Sequence, residues 1–485
     1  MPVTFLAIQR VLGYLVMLFS LTMLTPIVVS ILFRDGTWTA FGASFLIVLG
    51  SGTLIWYPVR SEERELRLRD GFLVVALFWV VLGLFGAAPL LMSVDPSMAF
   101  TDAVFESVSG LTTTGATVLT GLDDLPKAIL FYRQQLQWLG GLGIIVLAVA
   151  VLPMLGVGGM QLYRAETPGP VKDSKLTPRI TETAKALWYV YLGITIVCGL
   201  AYWAAGMNLF DALCHAFSTV AIGGFSTHDA SIGYFQSPLI EMITVMFMFI
   251  AGVNFSLHFL AWRNLKLSNY IADPEFRAYV KLLGGLTLFV LIYLYLTGHY
   301  STLSETFTKG LFHVVSVGTT TGFTTDSFVA WPGALPVLLI LSSFVGGCAG
   351  STAGGMKVIR WLLMYKQGWR EVQRLVHPSA SITVKLGDKA VHNRVVDSVW
   401  GFFAVYVVVF GILMLVLLAV GVDQVTAFSA IAATLNNLGP GLGEVANNYG
   451  TVDAVSKWAM VCAMLLGRLE IFTLLVLITP TFWRR

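Results

Sequence analysis

The sequence predicts an all-α polytopic membrane protein, and two observations lead to that fold class. Of the 485 residues, 56% are hydrophobic and only 12% are charged, whereas soluble proteins average about 25% charged residues. The chain also holds ten long apolar stretches, and about 20 apolar residues in a helix are enough to cross a hydrocarbon core of roughly 30 Å. The composition therefore excludes a soluble protein, and we expect lipid, and no nucleic acid, as a partner.

The ten predicted membrane spans follow one another along the chain. The first is too long for the apolar part of a signal peptide and has no small-residue cleavage site before Arg34, so we expect it to be retained. With the second span it forms an N-terminal two-helix extension. In order, the predicted spans are about 11–33, 39–58, 71–93, 128–155, 184–206, 237–261, 278–298, 335–364, 397–420 and 456–482.

The basic residues fall mainly on one side of these spans. Of the 30 lysines and arginines, 24 lie in the termini and the connections on the same side as the termini, 5 lie on the opposite side, and Arg468 lies inside the last span. Connections rich in lysine and arginine stay in the cytoplasm. The sequence therefore predicts a multi-pass protein of the bacterial inner membrane with both termini cytoplasmic.

Four semi-polar segments on the external side resemble one another. Each begins with a helical pattern of 10–13 residues and then becomes rich in glycine. A glycine stands 13 residues after the first letter of each segment, and a serine precedes that glycine by six residues in all but the last, where the residue is Ala433. Units repeated with a period of about 100–117 residues predict four copies of one feature around an axis. The segments are DAVFESVSGLTTTGAT (102–117), DALCHAFSTVAIGGFS (211–226), KGLFHVVSVGTTTGFT (309–324) and TAFSAIAATLNNLGPG (426–441).

The repeated glycine predicts an ion filter. Non-helical backbone at membrane depth is tolerated only where protein buries it or where it lines a water-filled cavity. Glycine reaches positive φ and lets successive carbonyls turn the same way, and rings of carbonyls can replace the hydration shell of a potassium ion. The short helix before each turn points the negative end of its dipole at the cavity. The predicted potassium-binding residues are Thr113, Thr114, Gly115, Ile222, Gly223, Gly224, Thr320, Thr321, Gly322, Asn437, Leu438 and Gly439.

The four segments together resemble the pore loops of the Trk/Ktr/HKT superfamily of potassium transporters, and the TrkH branch most of all. The resemblance covers 71–482, and the first two spans match the extra N-terminal pair of that branch. It implies four membrane–pore–membrane units around one pore in each protomer of a homodimer. Glycine at all four filter positions goes with potassium preference in the family, and serine at the first goes with sodium. The fourth segment departs from the threonine pattern at Asn436, Asn437 and Pro440, as it usually does in the family.

The eighth span contains SSFVGGCAGSTAGGMKVIRW (342–361), which predicts a broken helix with an internal loop. Each glycine costs a helix about 1 kcal/mol relative to alanine. Small residues on the cytoplasmic side of the filter suit a gate, and the resemblance supports this, because Trk-type proteins carry such a loop in the third repeat. The alternative is a glycine face for tight packing. The predicted gate glycines are Gly346, Gly347, Gly350, Gly354 and Gly355.

Arg468 lies near the middle of the last predicted span, where a charged residue is expensive and suggests a function. We place it beneath the filter as part of the gate, where positive charge lowers cation occupancy. The alternative is a structural pair with a carboxylate or carbonyls from another helix, and Glu470 is a poor local partner. We expect Lys357, near the membrane edge, to extend its ammonium group toward water.

The domain organisation follows the repeats. We predict the extension at 1–65 and pore repeats at 66–160, 161–265, 266–375 (with the gating loop) and 376–485. The basic loops 160–185 and 357–394 can receive a partner or anionic headgroups. The resemblance implies a cytoplasmic TrkA-type nucleotide-binding regulatory subunit, which would hold the nucleotide. For this chain we expect potassium as the transported ion and no bound cofactor.

Two other classes of protein compete with this interpretation. A secondary transporter for another solute, or for sodium, uses broken helices near the midplane, but usually turns helix N-termini or buried charges toward its substrate. An intramembrane enzyme needs a catalytic dyad or metal ligands, and neither the histidines nor the four cysteines show such a spacing. The sequence leaves open whether transport is channel-like or coupled to sodium or protons.

Overall fold

The computed structural model describes residues 4–62, 68–141, 143 and 180–483, and within these ranges the chain is almost entirely helical. The β-structure of this part is one short hairpin, in which β1 (Lys385–Leu386) pairs with antiparallel β2 (Lys389–Ala390). Helices therefore carry the architecture, as the sequence predicts.

The N-terminal extension is a closely packed pair of spans. The first span consists of α1 (Thr4–Leu21) and α2 (Leu24–Phe33), and the second contains α3 (Trp38–Trp56). A methyl carbon added at Gly13 would lie 2.8 Å from Trp56 Cβ, and one added at Gly52 would lie 2.8 Å from Met17 Cγ. Glycine at these two positions therefore lets α1 and α3 approach each other, as small residues commonly do between membrane helices.

After this pair, one arrangement occurs four times: a membrane helix, a short buried helix, a glycine turn and a second membrane helix. The first unit holds α4 (Leu68–Gly86), α5 (Ala88–Met92), α6 (Phe100–Leu111) and α7 (Lys127–Gly141). The second holds α8 (Ile180–Ala204), α9 (Leu209–Val220), α10 (Pro238–Ala251) and α11 (Phe255–Asn264). The third holds α12 (Ser268–Ala272), α13 (Pro274–Thr297), α14 (Leu303–Gly318), α15 (Leu335–Ser343) and α16 (Val358–Val376). The fourth holds α17 (Asn393–Ala419), α18 (Gln424–Leu435), α19 (Ala454–Arg468), α20 (Phe472–Ile478) and α21 (Pro480–Trp483).

The first membrane helix of each unit is long and apolar, as predicted. Together with the N-terminal pair, six stretches in the described ranges are long and apolar enough to cross a membrane. Each coincides with a predicted span within a few residues. They are Phe5–Phe33, Trp38–Val59, Asp70–Met92, Ala184–Ala204, Pro274–Thr297 and Asn393–Ala419.

In the described ranges the second membrane helices of the second, third and fourth units are interrupted, which the sequence predicts for only one of them. The predicted break in 335–364 is present, between α15 and α16. The continuous span predicted at 237–261 is wrong, because α10 and α11 meet at 94° where Asn254 begins a new helix by accepting a hydrogen bond from Ser256 N–H (2.8 Å). The span predicted at 456–482 breaks after Arg468, which therefore lies at a helix end and not in mid-helix. The span predicted at 128–155 is helical to Gly141.

Some predictions concern residues outside the described ranges. These are the remainder of the span 128–155 after Gly143 and nearly all of the basic loop 160–185. The proposed boundaries at 65/66 and 160/161 also fall there.

The short buried helices α6, α9, α14 and α18 are here called the pore helices. In three of them the side chain of a polar residue just before the first turn accepts a hydrogen bond from a backbone N–H that lacks a partner within the helix. Asn208 accepts from Asp211 N–H (2.9 Å), Thr302 from Glu305 N–H (3.1 Å) and Asp423 from Val425 N–H (2.9 Å). Each cap fixes where its pore helix begins, and so which residues reach the turn at its other end.

Candidate ion pathway

The four pore helices end in the same way. In each, the N–H of the residue before the aligned glycine donates to the carbonyl five residues earlier. The donors and acceptors are Thr114 and Ser109 (2.8 Å), Gly223 and Ser218 (2.8 Å), Thr321 and Ser316 (2.7 Å), and Leu438 and Ala433 (2.7 Å). Because the acceptor is a backbone atom, alanine in the fourth segment serves as well as serine.

The turns after these helices share one backbone conformation. The residue two before each glycine has positive φ: Thr113 (55°), Ile222 (54°), Thr320 (69°) and Asn437 (54°). The glycines themselves have φ of 80° at Gly115, 76° at Gly224, 83° at Gly322 and 99° at Gly439. A left-handed conformation is unfavourable for a residue with a side chain, by roughly 1–2 kcal/mol. Four non-glycine residues held there show that the surrounding structure imposes this turn.

The four glycines form a closed ring. A methyl carbon added to any one of them would lie less than 3.0 Å from a carbonyl oxygen of the next turn. The relation runs from the first repeat round to the first again: Gly115 to Gly223 O, Gly224 to Thr321 O, Gly322 to Leu438 O, and Gly439 to Thr114 O. Glycine is therefore required at each position both for its φ and for this close approach.

One side of the ring opens into a cavity of about 320 Å³, and all four glycines line it. Its wall also carries Asp229, Asp326, Arg133 and His228. The charge of Arg133 is neutralised, because its Nε lies 2.7 Å from Oε1 of the buried Glu106. The cavity therefore leads from a polar, partly acidic surface to the ring of glycines.

Side chains behind the turns hold them in place. In the first turn the hydroxyls of Thr112 and Thr114 lie 2.7 Å apart, and in the third those of Thr319 and Thr321 lie 2.8 Å apart. In the fourth turn Asn437 Nδ2 donates to Thr114 Oγ1 and to Met464 O, both at 3.0 Å. The departure from threonine at Asn437 therefore joins the fourth turn to the first.

Two turn carbonyls accept hydrogen bonds from side chains that the sequence analysis did not select. Tyr449 Oη donates to Gly439 O (2.6 Å), and Gln137 Nε2 donates to Gly223 O (2.6 Å). The four turns are thus alike in backbone but not in the partners of their carbonyls. Because a carbonyl oxygen has two lone pairs, each can still face an ion.

The predicted gate loop crosses beneath the ring, in the residues that join α15 to α16. Gly354 N–H donates to Thr320 Oγ1 (2.7 Å), and Gly355 N–H donates to Asn436 O (3.0 Å). Thr352 Oγ1 donates to Val220 O (2.9 Å) at the end of α9. The loop therefore contacts the second, third and fourth repeats directly under their turns.

The five predicted gate glycines all lie in this loop. Glycine is required at three of them by the backbone conformation and at two by the close approach of a neighbouring oxygen. Gly346, Gly350 and Gly355 have positive φ (67°, 72° and 69°). Gly347 and Gly354 do not, but a methyl carbon on either would lie less than 3.0 Å from a backbone oxygen, of Gly252 and Asn436 respectively. The loop is thus folded tightly against its neighbours, which a simple glycine face for helix packing does not explain.

Arg468 joins this loop to the first repeat. Its Nη1 lies 3.3 Å from Thr113 Oγ1 and 3.3 Å from Thr352 O, and its Nη2 donates to Gly141 O (2.7 Å) and Gly140 O. Positive charge thus lies directly beneath the first turn. Glu470, two residues away and therefore on another face of a helix, instead pairs with Arg360 (2.6 Å).

The contacts of two further groups at the loop differ from what the sequence predicts. Lys357 does not extend to water as expected: it is buried and donates to Ala353 O. Glu275, at the start of α13, accepts hydrogen bonds from Ala349 N–H (2.7 Å) and Ile359 N–H (3.1 Å). It therefore joins the middle of the loop to the first turn of α16. Glutamate just after proline in a first helical turn looks like an ordinary helix start, and only the fold reveals the second contact.

Comparison with known proteins gives a consistent result. A family model described as TrkH, cation transport protein, matches residues 38–484 of this chain. The Trk system potassium uptake protein TrkH of Halomonas elongata is 60% identical over 478 residues, which are 99% of either chain. TrkH of Escherichia coli (strain K12) is 57% identical over 482 residues, again 99% of either chain.

A solved structure is similarly close. The crystal structure of the potassium transporter TrkH from Vibrio parahaemolyticus matches with a TM-score of 0.91 and 56% identity, over 99% of this chain and 100% of that one. These likenesses confirm the predicted resemblance and the fold class of an all-α polytopic membrane protein.

Proposed function

The chain belongs to the TrkH family of cation transport proteins, and on that premise we propose that it carries potassium into the cell through one pore formed by its four glycine turns. The closed ring of Gly115, Gly224, Gly322 and Gly439 is the observation that carries this proposal. A ring of four turns with one backbone conformation offers an ion several carbonyls at once, and such rings can replace the hydration shell of potassium.

The twelve residues of the filter supply the ion's surroundings in this proposal. Each pore helix points its C-terminal end at the ring, and that end carries partial negative charge. The cavity above the ring, with Asp229 and Asp326 in its wall, concentrates cations at the mouth. Transport of an anion would meet the wrong sign of potential at every one of these places.

The loop at 346–355 and Arg468 form the gate in this proposal. The loop lies across the path beneath the turns, and the guanidinium of Arg468 adds positive charge there. Opening requires the loop to leave Thr320, Asn436 and Val220, and the flexible residues for that movement are its glycines. The gate acts on how often ions pass, whereas the ring acts on which ions pass.

Assembly and regulation extend the proposal to partners. The relatives carry the name of a Trk system, and we infer a homodimer in the inner membrane that works with a cytoplasmic TrkA-type nucleotide-binding subunit. Within the described ranges, the exposed part of α16 and the hairpin after it, in 357–394, offer a surface for that subunit. The basic residues of this surface support a cytoplasmic position for it, because connections rich in lysine and arginine stay in the cytoplasm.

Rubidium uptake into proteoliposomes containing the purified protein tests the function, with potassium, sodium and lithium as competitors. Wild type should be inhibited by potassium and not by sodium. The variant Gly115→Ser should lose this discrimination, because its Cβ would lie less than 3.0 Å from Gly223 O. If wild type and variant pass sodium and potassium equally, the filter proposal is wrong. If wild type shows no flux, adding the regulatory subunit separates a closed gate from a wrong function.

A further inference from the structure

The second turn lacks the threonine pair that holds the first and third turns. The first and third turns each contain a pair of threonines whose hydroxyls are hydrogen bonded, Thr112 with Thr114 and Thr319 with Thr321. In the second turn the corresponding residues are Ala221 and Gly223. Neither residue has a side-chain polar group, so nothing within this turn can replace the threonine pair.

Gln137, from α7 of the first repeat, occupies the empty place. Its Nε2 donates to Gly223 O (2.6 Å), and its Oε1 accepts from Phe225 N–H (3.1 Å). The amide group therefore brackets Gly224 on both sides along the chain. The side chain is fully buried, at 0% exposure.

The fit between Gln137 and the second turn is close. A methyl carbon added at Gly223 would lie less than 3.0 Å from Cδ, Oε1 and Nε2 of Gln137. The glutamine amide thus fills the space in which the first and third turns hold a threonine side chain. Glutamine at 137 therefore fits only because residue 223 is a glycine.

Gln137 also acts on the ring. The carbonyl that it holds, Gly223 O, is the one that packs against Gly115. Its position therefore sets both the shape of the second turn and the spacing between the first two turns. A hydrogen bond from an amide also fixes the direction of that carbonyl, which decides how well it can face an ion of a given size.

We propose that Gln137 is a specificity-determining positioning residue: it holds the second filter turn in the shape that threonine pairs impose on the first and third. This inference rests on the proposed function, since it assigns a role within the same filter. It touches the turn and not the ion, so its removal should change the preference among ions more than the amount of folded protein.

The test is the ion preference of Gln137→Met in proteoliposomes, measured as the ratio of the potassium and sodium concentrations that halve rubidium uptake. Methionine fills a similar volume but forms neither hydrogen bond. We expect the preference for potassium over sodium to fall by about tenfold, which corresponds to about 1.4 kcal/mol. Gln137→Glu, which keeps the acceptor for Phe225 N–H, is measured as well. If the methionine variant does not fold, the potassium-to-sodium ratio of Gln137→Glu alone decides whether the inference stands.

A matched control stands two residues away on the same helix. Gln135 is buried and also forms two hydrogen bonds, from its Nε2 to Thr22 O (2.9 Å) and from Thr25 Oγ1 to its Oε1 (3.0 Å), but these lead to the N-terminal extension. Gln135→Met should keep the wild-type ratio. An unchanged ratio in both Gln137 variants, or an equal loss in Gln135→Met, overturns the inference while leaving the filter in place. A wild type without potassium preference refutes the proposed function itself.

Discussion

The glycine turns and the glycine-rich loop beneath them are both unwound backbone inside a helical protein, but they are held in different ways. Each turn closes on its own pore helix through the same short-range bond, as between Thr321 N–H and Ser316 O (2.7 Å). The loop has bonds to three different repeats, such as those from Thr352 to Val220 O (2.9 Å) and from Gly355 N–H to Asn436 O (3.0 Å).

This difference suits two different tasks. A turn that closes locally and packs against the next turn cannot move without the whole ring, so its geometry is fixed. The loop is held by separate contacts to several elements and not by closure on one helix. Its release therefore breaks those contacts while the helices on either side stay intact. We therefore expect substitutions in the turns to change which ion passes or whether the protein folds, and substitutions at the loop to change how fast ions pass.

The largest effect should come from Gly322→Ala. Alanine would bring a methyl group less than 3.0 Å from Leu438 O and 2.7 Å from Pro440 Cδ, at a φ of 83° that side chains rarely adopt. The contact with Pro440 is a second clash that Gly115 lacks, so the effect should exceed that of Gly115→Ser. We expect little folded protein and loss of selective rubidium uptake, measured by size-exclusion chromatography and flux.

The control for that substitution is Gly284→Ala, where a methyl group on the helix meets no atom within 4 Å. There the exchange should be neutral or stabilise the helix, by up to about 1 kcal/mol. Normal folding and uptake in Gly322→Ala would contradict the closed ring.

The parts of this design that the sequence predicts are those whose requirements are local. A residue such as Gly115 or Gly355 needs positive φ and close approach, and only glycine meets both needs, so the pattern is visible in the chain. The break between α15 and α16 was predicted because five glycines exceed what one packed helix face requires. The breaks after Gly252 and Arg468 were not, because one glycine beside a break looks the same as one glycine in a tightly packed helix.

The remainder depends on contacts between distant residues. Gln137 lies 86 residues from the carbonyl that it holds, and Glu275 lies 74 residues from Ala349. In the sequence each is one polar residue in or beside an apolar stretch, and many such residues only satisfy a nearby helix. Which of them reaches a turn or the loop is decided by how the repeats pack, which no periodicity in a single sequence records.

A smaller and different effect is expected at the loop from Arg468→Gln. Glutamine removes the positive charge and the bonds to Thr352 O, Gly141 O and Gly140 O, which weakens the closed position of the loop. We expect rubidium flux to rise by about tenfold, as for a loss of about 1.4 kcal/mol, with the potassium-to-sodium preference unchanged.

Arg370→Gln is the control for this variant, since Arg370 is also buried but bonds to Asn393 (3.0 Å), away from the loop. Its flux should equal that of wild type. A change of ion preference in Arg468→Gln, without a change of flux, would assign Arg468 to the filter and remove the division of tasks.

The smallest effect is expected at His228, whose ion pairs lie outside the ring of glycines. It tests whether these ion pairs also stabilise the second turn. His228 lies beside the second turn, with Nε2 3.2 Å from Asp211 Oδ2 and Nδ1 bonded to Asp123. Burial opposes the charged imidazole, but these two carboxylates outweigh it and raise the pKa of His228 above its ordinary value. The ion pairs are therefore complete below about pH 6.5, the ordinary pKa of histidine, and their contribution is lost as the pH rises through the raised value.

We expect the thermal midpoint of detergent-solubilised wild type to fall by about 1 °C more than that of His228→Gln between pH 6 and pH 9. The difference is this small because 1 kcal/mol moves the midpoint of a large chain by only a few degrees. Parallel curves for the two proteins would show that the ion pairs of His228 do not steady the second turn, and would sharpen the contrast between a ring closed from within and a loop held by contacts to other elements.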